Sequence, residues 1–216
     1  VGTTSRTKAE QRRESMTALI AEGRRMFAQD GFAAVNLNEV ARAAGMTKGA
    51  LYHHFGSKTG LFRAVVEQVQ RDVADRVAAA ADAEGDPWSQ LLAGCQAFLT
   101  AGSDPEVQRI MLLDGPTVLG WQEWRAMDET YSARHLTEAL TALMQDGTLG
   151  EQPVGPLTRL LSGAMNETAL WLAQSTDPSD LADASAALTR LLEGIRQVSP
   201  GRAAPPPSDQ RHRVGS

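Results

Sequence analysis

The chain has 216 residues, 42% of them apolar, 22% charged and 5% aromatic, a soluble globular composition with room for one large or two small domains. No apolar run approaches the ~18 residues of a membrane span, and the first residues lack the apolar stretch of a secretory signal, so the expectation is a cytoplasmic protein with no membrane partner. The single cysteine, Cys95, excludes an internal disulfide and a cysteine-built zinc site.

The net charge of −5 hides an asymmetry. Residues 1–63 hold ten Lys or Arg against five Asp or Glu, which makes them +5, and the remainder is −10. A basic head on an acidic body suits a polyanionic partner, although a solvated helix face gives the same contrast.

Apolar spacing is helical along the whole chain and no stretch sustains the two-residue alternation of a strand, so an all-α fold is expected. Residues 1–9 read as a flexible start. Met16, Leu19, Ile20, Gly23, Met26 and Phe27 form a first stripe that stops before Asp30-Gly31. Asn36, followed three places later by Glu39, reads as a capping box opening a short helix with Val40 and Ala44 inward. Gly45 suits the left-handed turn that stops it. Thr47 caps a second short helix, Lys48 to about Phe55, with Leu51 and Phe55 toward the core. Two short helices joined by Gly45-Met46-Thr47 make a helix-turn-helix.

A long helix follows Ser57, striped by Leu61, Phe62, Val65, Val66, Val69, Val73 and Val77. Leu91, Leu92, Cys95, Phe98 and Leu99 mark the next. Further helices are expected from about Trp121 to Gln145, from Leu157 to about Ser175 and from Leu181 to about Val198. Gly85-Asp86-Pro87, Asp114-Gly115-Pro116, residues 147–156 and Asp177-Pro178 read as breaks between them. Residues 200–216, rich in Pro, Ser and Gly, read as a disordered tail.

The second short helix leaves Lys48, Tyr52 and His53 facing outward. Lys48 in its first turn can reach a phosphate or a guanine edge, Gly49 permits close backbone approach, and the two rings can pack on a thymine methyl or donate to phosphate. Lys58, beside the helix start at Ser57, can add a phosphate grip. The bland alternative is a helical hairpin with a basic surface.

At these residues the chain resembles a known family. Phe27-Ala28-Gln29-Asp30-Gly31-Phe32, the run from Val40 to Phe55, Ser57-Lys58 and Leu61-Phe62 look like the DNA-binding head of TetR-family transcriptional regulators, over about residues 12–66. The resemblance implies a three-helix head (residues 10–57) and a helical regulatory and dimerisation domain (residues 58–199). It also implies a homodimer on a palindromic double-stranded operator and a small-molecule effector that releases DNA. By position, Asn38, Thr47, Lys48, Gly49, Tyr52, His53, His54 and Lys58 fall where family members touch DNA. Two positions depart from the pattern: Leu37 stands where a Thr or Ser is common, and Gly60 where an acid would complete a cap with Ser57.

In the body, Leu157, Leu160, Leu161, Ala164 and Thr168, with Leu181, Ala184, Leu188, Leu191 and Ile195, form two apolar stripes. The resemblance makes them a four-helix dimer interface; helical spacing fits an intramolecular core equally well. Phe98, Ile110, Leu113, Trp121, Trp124, Met127, Tyr131, Met165 and Trp171 offer apolar lining for a pocket, with Asp128 and Asn166 as polar anchors. The expected effector is largely apolar with one or two polar groups, and the acidic body disfavours a strongly anionic one. No catalytic constellation, cofactor or metal site is expected. The alternatives are a regulator that needs its ligand or has none, and a helical enzyme or ligand carrier whose basic head is incidental.

Overall fold

The structure, a computed structural model, describes residues 7–197. The tail over 200–216 and the first six residues of the expected flexible start lie outside the described residues. Every regular element among the described residues is helical. They are α1 (Lys8–Ala34), α2 (Leu37–Ala43), α3 (Lys48–Phe55), α4 (Lys58–Asp82), α5 (Pro87–Gly102), α6 (Pro105–Val107), a π-helical segment (Gln108–Asp114), α7 (Gly115–Leu119), α8 (Trp121–Thr130), α9 (Ser132–Gln145), α10 (Val154–Leu172) and α11 (Asp180–Gln197).

α1 starts inside the stretch expected to be loose. The Thr7 hydroxyl accepts from the Glu10 N–H at 3.2 Å and the Glu10 carboxylate accepts from the Thr7 N–H at 2.7 Å, a reciprocal cap that makes Lys8 and Ala9 helical. At Gly31 the backbone leaves the helix with φ 74°, a conformation glycine adopts freely. The chain there folds Phe32 back onto the head core: Phe27, Phe32 and Phe62 meet with ring centroids 5.0–5.9 Å apart. Leu19, Val40, Ala41, Leu51, Leu61 and Phe62 complete a buried core. The first turns of α4 thus belong to the head as much as to the body.

α2 is capped by Asn36, whose side chain accepts from the Asn38 N–H at 2.9 Å. Glu39 does not reach back, so the expected box is a single cap. Ala41, not Ala44, takes the fully buried inward place beside Val40. Gly45 makes the turn with φ 69°, and the Thr47 hydroxyl accepts from the Ala50 N–H at 3.2 Å to start α3. Leu37 is buried in the head core, which is why an apolar residue stands at that position. A Cβ at Gly60 would lie 2.0 Å from the Phe55 carbonyl oxygen, so the second departure from the family pattern follows from how tightly α4 starts against the end of α3.

Two breaks are misplaced by the sequence reading. Residues Trp121–Gln145 do not form one helix: Tyr131 (φ −104°, ψ −87°) separates α8 from α9. No glycine or proline signals this; the Tyr131 hydroxyl donates to Glu67 at 2.8 Å and its ring lies under Arg71, so a tertiary contact sets the break. Conversely, Asp114-Gly115-Pro116 does not interrupt the helix but carries the chain from the π segment into α7. In π spacing the donor for the Met111 carbonyl is the N–H five residues on, and residue 116 is a proline without one. The Trp124 indole N–H donates to that carbonyl instead, at 2.7 Å. Gly115 permits the approach, since a Cβ there would lie 2.9 Å from the indole.

The body packs α5 against α4, α9, α10 and α11 around Leu91, Phe98, Leu99, Leu140, Leu161 and Leu192. α5 and α11 are tied by the Trp88 indole N–H to Glu193 at 2.9 Å and by Gln96 to Thr189 at 3.2 Å.

Gly60→Ala is expected to destabilise the protein by about 1–3 kcal/mol through overpacking at α4, where an exposed helical glycine would gain about 1 kcal/mol from the same change. A lower urea midpoint with unchanged slope is the expected reading; an unchanged or higher midpoint means the start of α4 has room.

Candidate nucleic-acid interface and effector cavity

The helix-turn-helix presents one polar surface. Asn38, Thr47, Lys48, Gly49 and His53 are exposed, and Tyr52 is 43% exposed although aromatic. The Lys48 ammonium lies 5.7 Å from the centre of the Tyr52 ring, one turn along α3, so the cation and the ring share a face. The opposite side of α3 is anchored by buried Leu51. The side chains predicted from outward spacing therefore do converge on the exposed face of α3.

Two predicted residues sit differently. His54 is half-buried with a buried Nδ1 that has no hydrogen-bond partner, and burial, together with nearby Arg12 and His53, holds its pKa below the ordinary imidazole value. Lys58 is turned inward: its ammonium donates to the Ala33 carbonyl at 3.0 Å and lies 4.8 Å above the Phe32 ring, and burial lowers its pKa. Lys58 thus closes the end of α1 in this structure.

The head is clasped to the body by ionic contacts along α1 and α4. Arg24 donates to Glu106 at 2.7 Å and also bonds Asp72. The Phe32 N–H, freed by the kink at Gly31, donates to Asp114 at 2.7 Å, and Arg63 pairs with Glu123. Asp114 and Glu123 flank α7, next to the π segment, so the loop side of the body grips the head directly.

A cavity of about 360 Å³ opens between α4, α5, α8, α9 and α10, within the size range of small-molecule sites. Val77, Ala78, Ala81, Leu91, Cys95, Phe98, Leu136, Ala139 and Met165 give its apolar wall, and Asp82, Gln90, Asp128, Ser132, His135, Glu138 and Ser162 its polar atoms. Asp128 is 1% exposed, bonded to Arg125 at 2.8 Å and to the Ser162 hydroxyl at 3.1 Å. Burial still raises its pKa against the pull of Arg125, Ser162 and Asn166. Burial pushes the Cys95 thiol up to about 12, which makes it inert lining rather than a nucleophile.

Of the pocket residues expected from sequence, Phe98, Asp128 and Met165 line this cavity. The others do not. Ile110 is wholly buried in the π segment and Trp124 is spent on the Met111 carbonyl. Met127 packs on the core, and Tyr131 holds Glu67. Asn166 is buried with both amide atoms unpartnered, outside the cavity lining. Leu113, Trp121 and Trp171 are 38%, 64% and 48% exposed. Apart from Phe98, the large aromatics fill the core or lie outside, while small residues leave the space. Ser132, His135, Leu136 and Ala139 share one face of α9 at helical spacing, a pattern hidden while α8 and α9 read as a single helix.

The model of bacterial regulatory proteins of the tetR family matches residues 19–65, and the tetracyclin repressor-like C-terminal domain matches residues 88–195, half of the chain. A crystal structure of a TetR-family transcriptional regulator from Pectobacterium atrosepticum is 35% identical, superposes with a TM-score of 0.73, and is matched over 88% of this chain and 97% of that one. The chain belongs to the TetR family of transcriptional regulators. Among curated relatives, the transposon Tn10 TetC protein of Escherichia coli is 27% identical over 146 residues, 68% of this chain and 74% of that protein. A helix-turn-helix transcriptional repressor of Mycobacterium tuberculosis is 32% identical over 102 residues, 46% of this chain and 52% of that protein. The exposed face of α3 lies within the residues that the tetR-family model matches.

Lys48→Ala is expected to weaken operator binding. A base contact predicts a loss of about 1–3 kcal/mol with relaxed specificity at one position, and a phosphate contact a uniform loss with the salt slope reduced by about one. Titrations at several salt concentrations separate the two, and unchanged affinity and slope in the folded variant would remove Lys48 from the interface.

Proposed function

We propose that the protein is a homodimeric repressor that holds a palindromic double-stranded operator and lets it go when a largely apolar small molecule enters the cavity beside α9. The observation that carries this reading is the pairing of a TetR-type recognition surface on α3 with a mostly apolar cavity, open to solvent on one side, reached by the same α4 that enters the head core. Asn38, Thr47, Lys48, Gly49, Tyr52 and His53 take the DNA contacts, with His54 and Lys58 supporting them from the half-buried rim. A two-fold dimer sets two such helices about 34–36 Å apart, or a multiple of that, to meet successive major grooves. An effector that favours another spacing weakens DNA binding by its differential affinity for the two states. Such a protein works in the cytoplasm, where its operator is, as a regulator and not as an enzyme.

The dimer forms through the outward faces of α10 and α11. Leu160 is 72% exposed and Leu191 51% exposed. Between them lie the exposed small residues Gly163, Ala164, Ala187 and Gly194, and a Cβ at either glycine would meet nothing within 4 Å. Thr168 is half-buried beside them. The phase of the expected stripes is corrected by the fold: Leu157, Leu161, Ala184 and Leu188 are buried in their own subunit, and Leu181 and Ile195 pack on that core. Leu192, not Leu191, completes the inward face of α11. Large apolar side chains left exposed beside small residues suit an interaction surface, and the family makes a second copy its occupant.

Leu191→Asp is expected to give a folded monomer by light scattering with weakened operator binding, because the charge meets an apolar partner face. Leu188→Asp is expected to unfold the subunit itself. A stable DNA-binding dimer carrying Leu191→Asp would exclude this face.

Linkage tests the switch. Ligand affinity measured with and without operator must differ by the same factor by which ligand changes DNA affinity. Weaker ligand binding on DNA is the expected result for an inducer. Stronger binding identifies a regulator that needs its ligand, and equal binding means that the cavity is not coupled to DNA.

A further inference from the structure

Resting on the reading of this cavity as the effector site, its own atoms narrow the class of molecule it takes. Both protein hydrogen bonds to Asp128, from Arg125 and from Ser162, land on one oxygen, Oδ2. Oδ1 accepts no hydrogen bond of ordinary length among the described residues, although the Asn166 amide lies near enough to favour the carboxylate, and the residue is 1% exposed and lines the cavity. Ser132, also lining the cavity and 8% exposed, carries a buried hydroxyl with no hydrogen-bond partner among the described residues. A buried hydroxyl left unmatched beside a buried carboxylate whose firm hydrogen bonds all fall on one oxygen is costly unless something in the shared space bonds it.

The charges around the cavity have one sign. Asp82, Asp128 and Glu138 line it, His135 lies 3.8 Å from Glu138, and neither Lys nor Arg is among the described lining residues. Arg125 does not relieve this. It approaches Asp128 through Oδ2 and is shared with Glu129 at 3.7 Å. A carboxylate or phosphate ligand would enter beside these acids with no cation on the wall to receive it. A neutral apolar ligand would fill the wall of Val77, Leu91, Phe98 and Met165 but leave Asp128 Oδ1 and Ser132 Oγ unmatched.

We propose that the effector is an amphiphilic amine, an apolar body carrying a protonated nitrogen whose N–H groups donate to Asp128 Oδ1 and Ser132 Oγ. The apolar body lies along α4 and α5, against Val77, Leu91 and Phe98. The ammonium adds a second counter-charge to a carboxylate that Arg125 engages from one side only. Such charge-assisted bonds in a water-poor site are stronger than neutral ones.

Three probes sharing one skeleton test this: phenylbutylamine, phenylbutanol and phenylbutyrate, each titrated calorimetrically into the full-length protein without DNA. The amine is expected to bind about ten- to a hundredfold more tightly than the alcohol, as a charge-assisted bond predicts, and the acid more weakly still. Asp128→Asn is expected to bring amine and alcohol to similar affinities. Because that change strips Arg125 of a partner, Ser132→Ala gives a second measurement that leaves the ion pair intact, and it is expected to weaken the amine by about tenfold or less. Equal binding of amine and alcohol, preference for the acid, no binding of any of the three, or amine affinity unchanged in folded Ser132→Ala overturns the assignment. Release of operator is scored separately. An amine that binds as described and leaves the DNA complex intact upholds the ligand class and overturns the inducer reading. An acid that binds best and releases DNA does the reverse.

Discussion

The fold depends on the contact between Phe27, Phe32 and Phe62. Gly31 is the residue that permits it: with φ 74° the chain doubles back and lays Phe32 on two rings that belong to different helices, α1 and α4. Aromatic pairs at these separations add to ordinary apolar burial, and the three together seal the head core. Phe62 lies in the second turn of a helix that runs on past the cavity to Asp82. The head therefore has no core of its own that could be detached from α4. Any displacement of α4 at Val77 or Ala81, where the cavity touches it, bears on the same rigid rod that carries Phe62.

A second set of contacts decides how that rod can move. Arg24 reaches from α1 to Asp72 on α4 and to Glu106 on α6, so one guanidinium spans three helices. Asp114 receives the Phe32 N–H and faces Arg109 at 3.4 Å, and Arg63 pairs with Glu123. These contacts are polar, partly exposed and individually modest, whereas the aromatic cluster is apolar and buried. On the proposed reading this division is useful. The cluster keeps the head intact while the ion pairs, each replaceable by water at small cost, allow it to change its angle to the body.

The head was readable from the chain because its determinants are local. Asn36, Gly45, Thr47 and Ser57 act on their neighbours within a few residues, and Leu51 and Leu61 follow simple helical spacing. The body was harder because its determinants are distant in sequence. Tyr131 ends a helix by reaching Glu67, and Trp124 rescues the carbonyl of Met111; nothing adjacent to either residue announces it. The helical phase of α10 and α11 shows the same limit. Leu191 and Leu192 are equally apolar neighbours, and only the position of α5 decides that Leu192 goes inward and Leu191 outward. The cavity was the least readable part, since it is defined by small side chains such as Ala78, Ala81, Gly94 and Ala139 that leave space, and space has no residue code.

The junction of the π segment with α7 has a consequence for how this protein can evolve. Pro116 removes a donor, Trp124 replaces it, and Gly115 makes room for the replacement. Exchanging Trp124 alone strands a buried carbonyl, and exchanging Gly115 alone drives a methyl into the indole. Restoring a donor at position 116 alone is tolerable, since a carbonyl oxygen has lone pairs for two donors. The costly single steps are the loss of the indole and the gain of a side chain at position 115. On stability alone Trp124 and Gly115 are therefore expected to change together, whereas the exposed positions around them can change singly.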